Sequence, residues 1–226
     1  MKSNHSVEMF EKLAPKYDLM NKVITFGLYK TWQKKLVQEL NLKKGSKVLD
    51  VATGTGDIAM MLAKGEMEVF ASDLSINMLK IAKKRSLKNN LEIKFFEDDA
   101  SRPKIKNLDA ITISFGIRNI PNIKKTVENH INCLNENGFW GCLDVAEPEG
   151  KIKRFLFNLW MSIMPFLAPF FKAPKESYFY LKDSVKTFPR INEIKELMNN
   201  LGLKVVYSKE LFPMGPIILI GQKLKR

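Results

Sequence analysis

The stretch LDVATGTGD, residues 49–57, decides how the chain is to be read. A short apolar run meets two glycines and opens at once into DIAMMLAKG (57–65), a helical pattern. Gly54 and Gly56 let the backbone turn sharply and let a ligand approach with no Cβ in the way. The helix that follows points free N–H groups at that ligand, which favours an anionic or polar group. Asp73 ends the next strand, EVFASD (68–73), where a carboxylate accepts both hydroxyls of a ribose. A third acidic site follows in EDDAS (97–101), placed to accept from an adenine amino group and to offer a main-chain N–H to a ring nitrogen. Acids at the ends of successive strands argue against a glycine turn that merely seats a helix. Because GTGDIA also satisfies the dinucleotide fingerprint, with alanine in third place, a nicotinamide cofactor is a rival.

Working outward, KVLDVA (47–52), EVFASD, LEIKFF (91–96), LDAITISF (108–115) and GFWGCLDV (138–145) read as strands. They alternate with DIAMMLAKG, INMLKIAKKRSL (76–87) and IKKTVENHINCL (123–134) as helices. That order predicts right-handed βαβ units and a parallel sheet covered on both faces. Residues 4–45 read as helical throughout. Near the end, INEIKELMNNLG (191–202) precedes LKVVYSKEL (203–211) and PIILIGQK (216–223), with only FPMG between them. So short a connection makes an antiparallel hairpin and one reversed strand. Dinucleotide domains do not generally carry such a hairpin, and little chain remains to hold a hydride acceptor.

The 226 residues suit one α/β domain, 1–226, with a helical cap over 1–45 and an apolar helical lid over 150–189. Cys133 and Cys142 lie in no metal or redox spacing and read as small buried hydrophobes in a reducing cytosol. No metal site is expected. The N-terminal residues lack the apolar segment of a secretory leader. A formal charge of +13 suits an anionic partner, either nucleic acid or membrane headgroups, or reflects an ordinary lysine-rich surface.

FEKLAPKYDLMN (10–21), ITFGL (24–28), LDVATGTGD, SDLSINML (72–79), ITISFGIRNIP (111–121) and YLKDSVKTFP (180–189) occur in that order. Together they resemble the UbiE/MenG family of quinone-biosynthesis C-methyltransferases, with KYDLMN and SFGIRN the most specific pieces. The resemblance implies the class I S-adenosylmethionine methyltransferase fold: a Rossmann-like, seven-stranded, mostly parallel sheet with a reversed last strand. It implies S-adenosyl-L-methionine as cofactor, with Gly54, Thr55 and Gly56 in the turn, Asp73 on the ribose, Asp98 and Asp99 beside the adenine, and Ser114 where the fourth strand ends. Three departures stand out. Asp98–Asp99 replaces the usual Asn–Ala, so Asp99 is expected to contribute its backbone. LDVAEPEG (143–150) replaces LEFSKP, which leaves Asp144 without a borrowed role. Ala52 replaces a glycine and is tolerable with a negative φ.

Within TISFGIRNIP (112–121), Arg118 follows the carboxyl end of a strand, where open α/β sheets bind ligands. A guanidinium there would stabilise a developing phenolate on the acceptor ring, with Asn119 fixing the loop. The rival is a surface salt bridge that closes the loop. Tyr17 would come from the N-terminal helices to orient a hydroxyl or a water, or would simply fill the cap. No histidine is placed as the base. FLFNLWMSIMPFLAPFF (155–171) is uncharged, and Pro165 and Pro169 should break its second half. Flanked by Lys151, Lys153, Arg154, Lys172 and Lys175, it reads as a helix at the bilayer surface rather than a span. The expected partners are a prenylated hydroquinol, with demethylmenaquinol ahead of the benzoquinol, and an anionic membrane at its inner, cytoplasmic face. Nucleic acid is not expected, and a homodimer is left open. An RNA methyltransferase or a non-catalytic cofactor-binding protein would have little use for both KYDLMN and SFGIRN.

Overall fold

The structure is a computed structural model and describes residues 2–167, 175–211 and 215–225. It opens with α1 (Lys2–Leu13), a 3-10 turn (Ala14–Lys16), α2 (Tyr17–Ile24) and α3 (Tyr29–Leu40). The alternating part runs β1 (Lys47–Val51), α4 (Asp57–Lys64), β2 (Glu68–Asp73), α5 (Ile76–Lys88), β3 (Lys94–Glu97) and β4 (Leu108–Ser114). A second 3-10 turn (Ile117–Asn119), α6 (Ile123–Cys133) and β5 (Leu134–Val145) come next. Then follow α7 (Lys151–Leu167), α8 (Lys175–Lys186), α9 (Ile191–Asn200), β6 (Leu203–Glu210) and β7 (Pro216–Lys223).

One sheet takes the seven strands in the order β3-β2-β1-β4-β5-β7-β6. The first five are parallel, and β7 runs antiparallel to both β5 and β6. The apolar run of β7 follows from its place. Ile217 and Leu219 join the core on one face, while Ile218 and Ile220 join the core on the other. A strand covered on both sides reads as continuously hydrophobic. β3 is shorter than expected because it is an edge strand, paired only from Lys94 to Glu97. β5 begins earlier, at Leu134, since α6 runs straight into it. The turn at 212–214 lies outside the described residues.

The N-terminal helices divide their work. α3 buries Trp32, Leu36 and Leu40 against the sheet, at about 1.5–3 kcal/mol for each fully buried side chain. α1 and α2 instead close over the carboxyl edge, where Leu13, Met20 and Ile24 meet Met164 and Tyr178 of the lid. α7 continues through Pro165 to Leu167, contrary to the expected break. Pro169 and Lys172 lie outside the described residues, as does the side chain of Lys175. Among the described residues, no helix is long and apolar enough to cross a membrane.

Ala52 corrects another expectation, for its φ is +50°. An alanine in the left-handed region is strained, and Phe115 at the end of β4 shares that conformation at +56°. Both lie where the strand order reverses, between β1 and β4. A Cβ built on Gly116 would come 2.9 Å from the Ala52 Cβ and 3.3 Å from Ile113 Cγ1. Gly116→Ala is therefore expected to cost about 1–3 kcal/mol in urea unfolding. Adding Ala52→Gly should recover part of that loss, whereas strictly additive effects would contradict the contact.

Candidate active site

A cavity of about 300 Å³ lies at the carboxyl ends of β1 and β4. Gly54, Asp73, Asp98, Asp99 and Ser114 line it, and Phe10 and Tyr17 of the N-terminal segment complete it. Asp73 accepts from the backbone N–H of Gly54 and of Ser75, both at 2.8 Å. Burial pushes its carboxyl up, and those two N–H groups oppose the shift. Asp98 accepts from the Lys104 backbone at 3.2 Å and meets its ammonium at 3.4 Å. Asp99 turns its carboxylate to the Ser101 N–H at 2.8 Å.

Thr55 and Gly56 do not line this cavity. Thr55 turns its hydroxyl away from the cavity and donates to Asp18 Oδ1 at 2.7 Å. Gly56 serves packing: at φ +84°, its Cβ would come 3.0 Å from that of Ala82 on α5. The turn itself is tied down by Asp50, which accepts from Thr53 at 2.6 Å and from Thr112 at 2.7 Å.

Arg118 is not a free guanidinium at the mouth. It is almost fully buried and ion-paired with Asp144, which is wholly buried. It also donates to the Phe115 carbonyl at 3.2 Å and from Nε to Ser184 of the lid at 3.3 Å. It thus borders a second, smaller cavity of about 50 Å³ rather than the first. Met9, Leu13, Met20, Ile24, Val145 and Leu181 make that cavity apolar, and Arg118, Asn21 and Tyr180 give it polar points. Asn119 borders the first cavity and accepts from the Tyr180 hydroxyl at 3.0 Å, so it does fix the loop, through the lid.

Tyr17 lines both cavities and a third, of about 20 Å³, beneath the glycine turn. Burial raises its phenol, and a hydrogen bond with Asn21 opposes the rise. It is therefore a neutral donor near pH 7, not a base. The third cavity is polar, with Gln33, Asp50 and Ser114 in its walls. Gln33 Oε1 is buried there with no partner among the described residues. Neither Gln33 nor Asp144 was among the expected site residues. The signal for Gln33 is a polar side chain among Tyr29, Trp32 and Leu36 on the buried face of α3. Asp144, left without a role because its surroundings depart from the family pattern, is a wholly buried acid that follows the buried run Trp140–Leu143 of β5.

His130 is wholly buried in the core. Its Nε2–H donates to the Ala100 carbonyl at 2.6 Å, and Nδ1 accepts from Trp140 at 3.0 Å. This pins the acidic loop to α6 and β5. Both cysteines are free and buried.

Burial lowers His130 to about 4 from its ordinary 6.5. A depressed folded-state value gives stability that is present above 6.5 and lost as pH falls toward 4, worth about 3 kcal/mol. Imidazole titration by NMR is expected to show a neutral ring down to near that pH; ordinary titration would contradict the buried pairing. Asp144→Ala, which strands the Arg118 charge, is expected to cost about 3–5 kcal/mol in denaturant unfolding.

The sequence model of the ubiE/COQ5 methyltransferase family matches residues 1–220. A demethylmenaquinone methyltransferase from Staphylococcus saprophyticus is 32% identical, with 88% of each chain covered. A ubiquinone/menaquinone biosynthesis C-methyltransferase UbiE from Rickettsia prowazekii is 34% identical, covering 96% of this chain and 91% of the relative. Among solved structures, a SAM-dependent methyltransferase from Aquifex aeolicus superposes with TM-score 0.66 at 17% identity, covering 95% of this chain and 98% of its own. A putative methyltransferase from Haloferax volcanii, bound to the Trm112 activator, gives 0.70 at 14%, covering 96% and 98%. These structural likenesses carry the fold, and the sequence matches carry the family: the chain belongs to the ubiE/COQ5 methyltransferases.

Proposed function

We propose that this methyltransferase transfers the methyl of S-adenosylmethionine to a ring carbon of a prenylated hydroquinol, with demethylmenaquinol the first choice. Menaquinone chemistry is common to the names of both sequence relatives. The single observation that carries the reading is the shared wall: Phe10, Tyr17 and Phe115 line both the acid-lined cavity and the apolar one.

The residues fit the donor. Asp73 keeps acceptor capacity beyond its two backbone bonds, which suits ribose hydroxyls. The unpartnered Gln33 oxygen suits an ammonium, beside Ser114 and under the turn. When bound, the cofactor supplies an electrophilic methyl on a sulfonium. The acceptor must then be electron-rich, so the reduced quinol and not the quinone is the substrate.

Arg118, held rigid by Asp144, is placed to donate to the acceptor oxygen while its partner prevents a lone buried charge. Tyr17 donates as a neutral phenol. With His130 locked in the core, proximity and these donors carry the rate. Arg118→Lys keeps the charge but loses the planar fork. It is expected to leave cofactor affinity intact and cut turnover by about tenfold to a hundredfold. Parallel loss of both would make the residue purely structural. The function itself is tested with labelled donor and each reduced quinone, read by the mass of the lipid product. A methylated naphthoquinol is expected, and labelling of no quinol would refute the reading.

The lid supports peripheral attachment to an anionic membrane. Phe155, Leu156, Leu159, Ile163 and Phe166 are exposed along one side of α7, while Phe157, Met161 and Met164 are buried on the other. Phe26 extends the exposed side through its contact with Trp160, ring centroids 5.2 Å apart. Lys151 and Lys153 sit exposed at the start of the same helix, where headgroup phosphates would lie. The chain is expected to sediment with anionic liposomes at low salt, and Phe155→Ser with Phe166→Ser to release it. A dimer that the same substitutions dissociate to monomer, without liposome binding in the wild type, would assign that face to a second copy.

A further inference from the structure

Asp18, in the KYDLMN segment, has no part in either cavity, yet its carboxylate is engaged on both oxygens. Oδ1 accepts from Thr55 at 2.7 Å, and Oδ2 meets Arg85 of α5 at 3.2 Å. The same guanidinium donates to the Thr55 carbonyl at 2.9 Å and pairs with Asp57, the first residue of α4, at 2.5 Å. One arginine therefore joins α2, the glycine turn, α4 and α5. The Thr55 hydroxyl is occupied by this contact. Along the same edge, Glu11 of α1 accepts from the Asn77 N–H of α5 at 3.2 Å. The next residue before Asp18 is Tyr17, whose ring lies 3.7 Å from where a Cβ on Gly54 would be.

We propose that Asp18, Arg85 and Thr55 form a latch that couples cofactor binding in the glycine turn to the docking of α1 and α2, and that all three are positioning residues acting through Tyr17. The latch joins the two partners of the reaction. A turn ordered by the cofactor presents Thr55 and Asp57 in register for Arg85, and Arg85 then holds Asp18. Docked α2 in turn sets Tyr17 between the donor cavity and the acceptor cavity. The part played by Tyr17 at the acceptor rests on the function proposed above; the coupling itself does not.

Linkage makes the coupling measurable from both ends. Whatever factor the cofactor adds to cap docking, cap docking adds to cofactor affinity. Saturating S-adenosylmethionine is expected to slow amide exchange across residues 10–24 of the full-length protein by about tenfold. Asp18→Asn, at a half-exposed side chain, should abolish that slowing and weaken cofactor binding by the same factor. Thr55→Val should do likewise from the other side of the contact. The double variant should be no worse than either single one, because each breaks the same link. Slowing that survives Asp18→Asn overturns the latch, as does affinity lost in Thr55→Val with the slowing intact, which would place that hydroxyl on the cofactor. Unchanged turnover in Tyr17→Phe, with the coupling preserved, would remove Tyr17 from the acceptor and leave the latch standing.

Discussion

The reversal of strand order between β1 and β4 is the constraint on which the site depends. The crossover after β1 leads toward β2 and that after β4 toward β5, so the connections leave the sheet edge in opposite directions and open a crevice. Both strands end in a left-handed residue, Ala52 and Phe115. That backbone strain sits where the ligand cavity begins, as strain at functional sites commonly does. The glycine turn, Asp73 and Ser114 all hang from this edge.

What the crevice lacks, buried ion pairs and the helical cover supply. The pair between Arg118 and Asp144 costs desolvation and offers specificity rather than raw stability. It fixes the 3-10 turn after β4 against β5, and through Ser184 it reaches the lid. The Tyr180 hydroxyl on Asn119 makes a second tie between lid and loop. The smaller, apolar cavity is consequently walled by elements from both ends of the chain. Along α7 the lid keeps an apolar exterior as well as an apolar interior.

The fold was legible because its signals are local. Alternation of β and α patterns, the glycine turn and the short FPMG connection each report on neighbouring residues, and β2 and β7 fall on their expected spans. The convergence of Asp73, Asp98 and Ser114 on one cavity was legible for a similar reason: strand ends meet at one edge whatever the packing. The partners of Thr55 and Arg118 and the positive φ of Ala52 were not legible, because those surroundings are set by distant segments. Thr55 meets a residue 37 positions away, and Arg118 one 26 positions away. No periodicity reports such partners. Gln33 shows the middle case, where an amphipathic pattern marks a polar residue as buried but cannot name what it faces.

The central claim is that the donor lies in the crevice between β1 and β4 and is held there by Asp73. Titration calorimetry of the wild type and Asp73→Ala with S-adenosylmethionine, and with a nicotinamide dinucleotide, tests it most directly. The account predicts heat with the sulfonium alone and binding at least about tenfold weaker in the variant. Equal affinity in the two proteins, or heat from the dinucleotide instead, would contradict it.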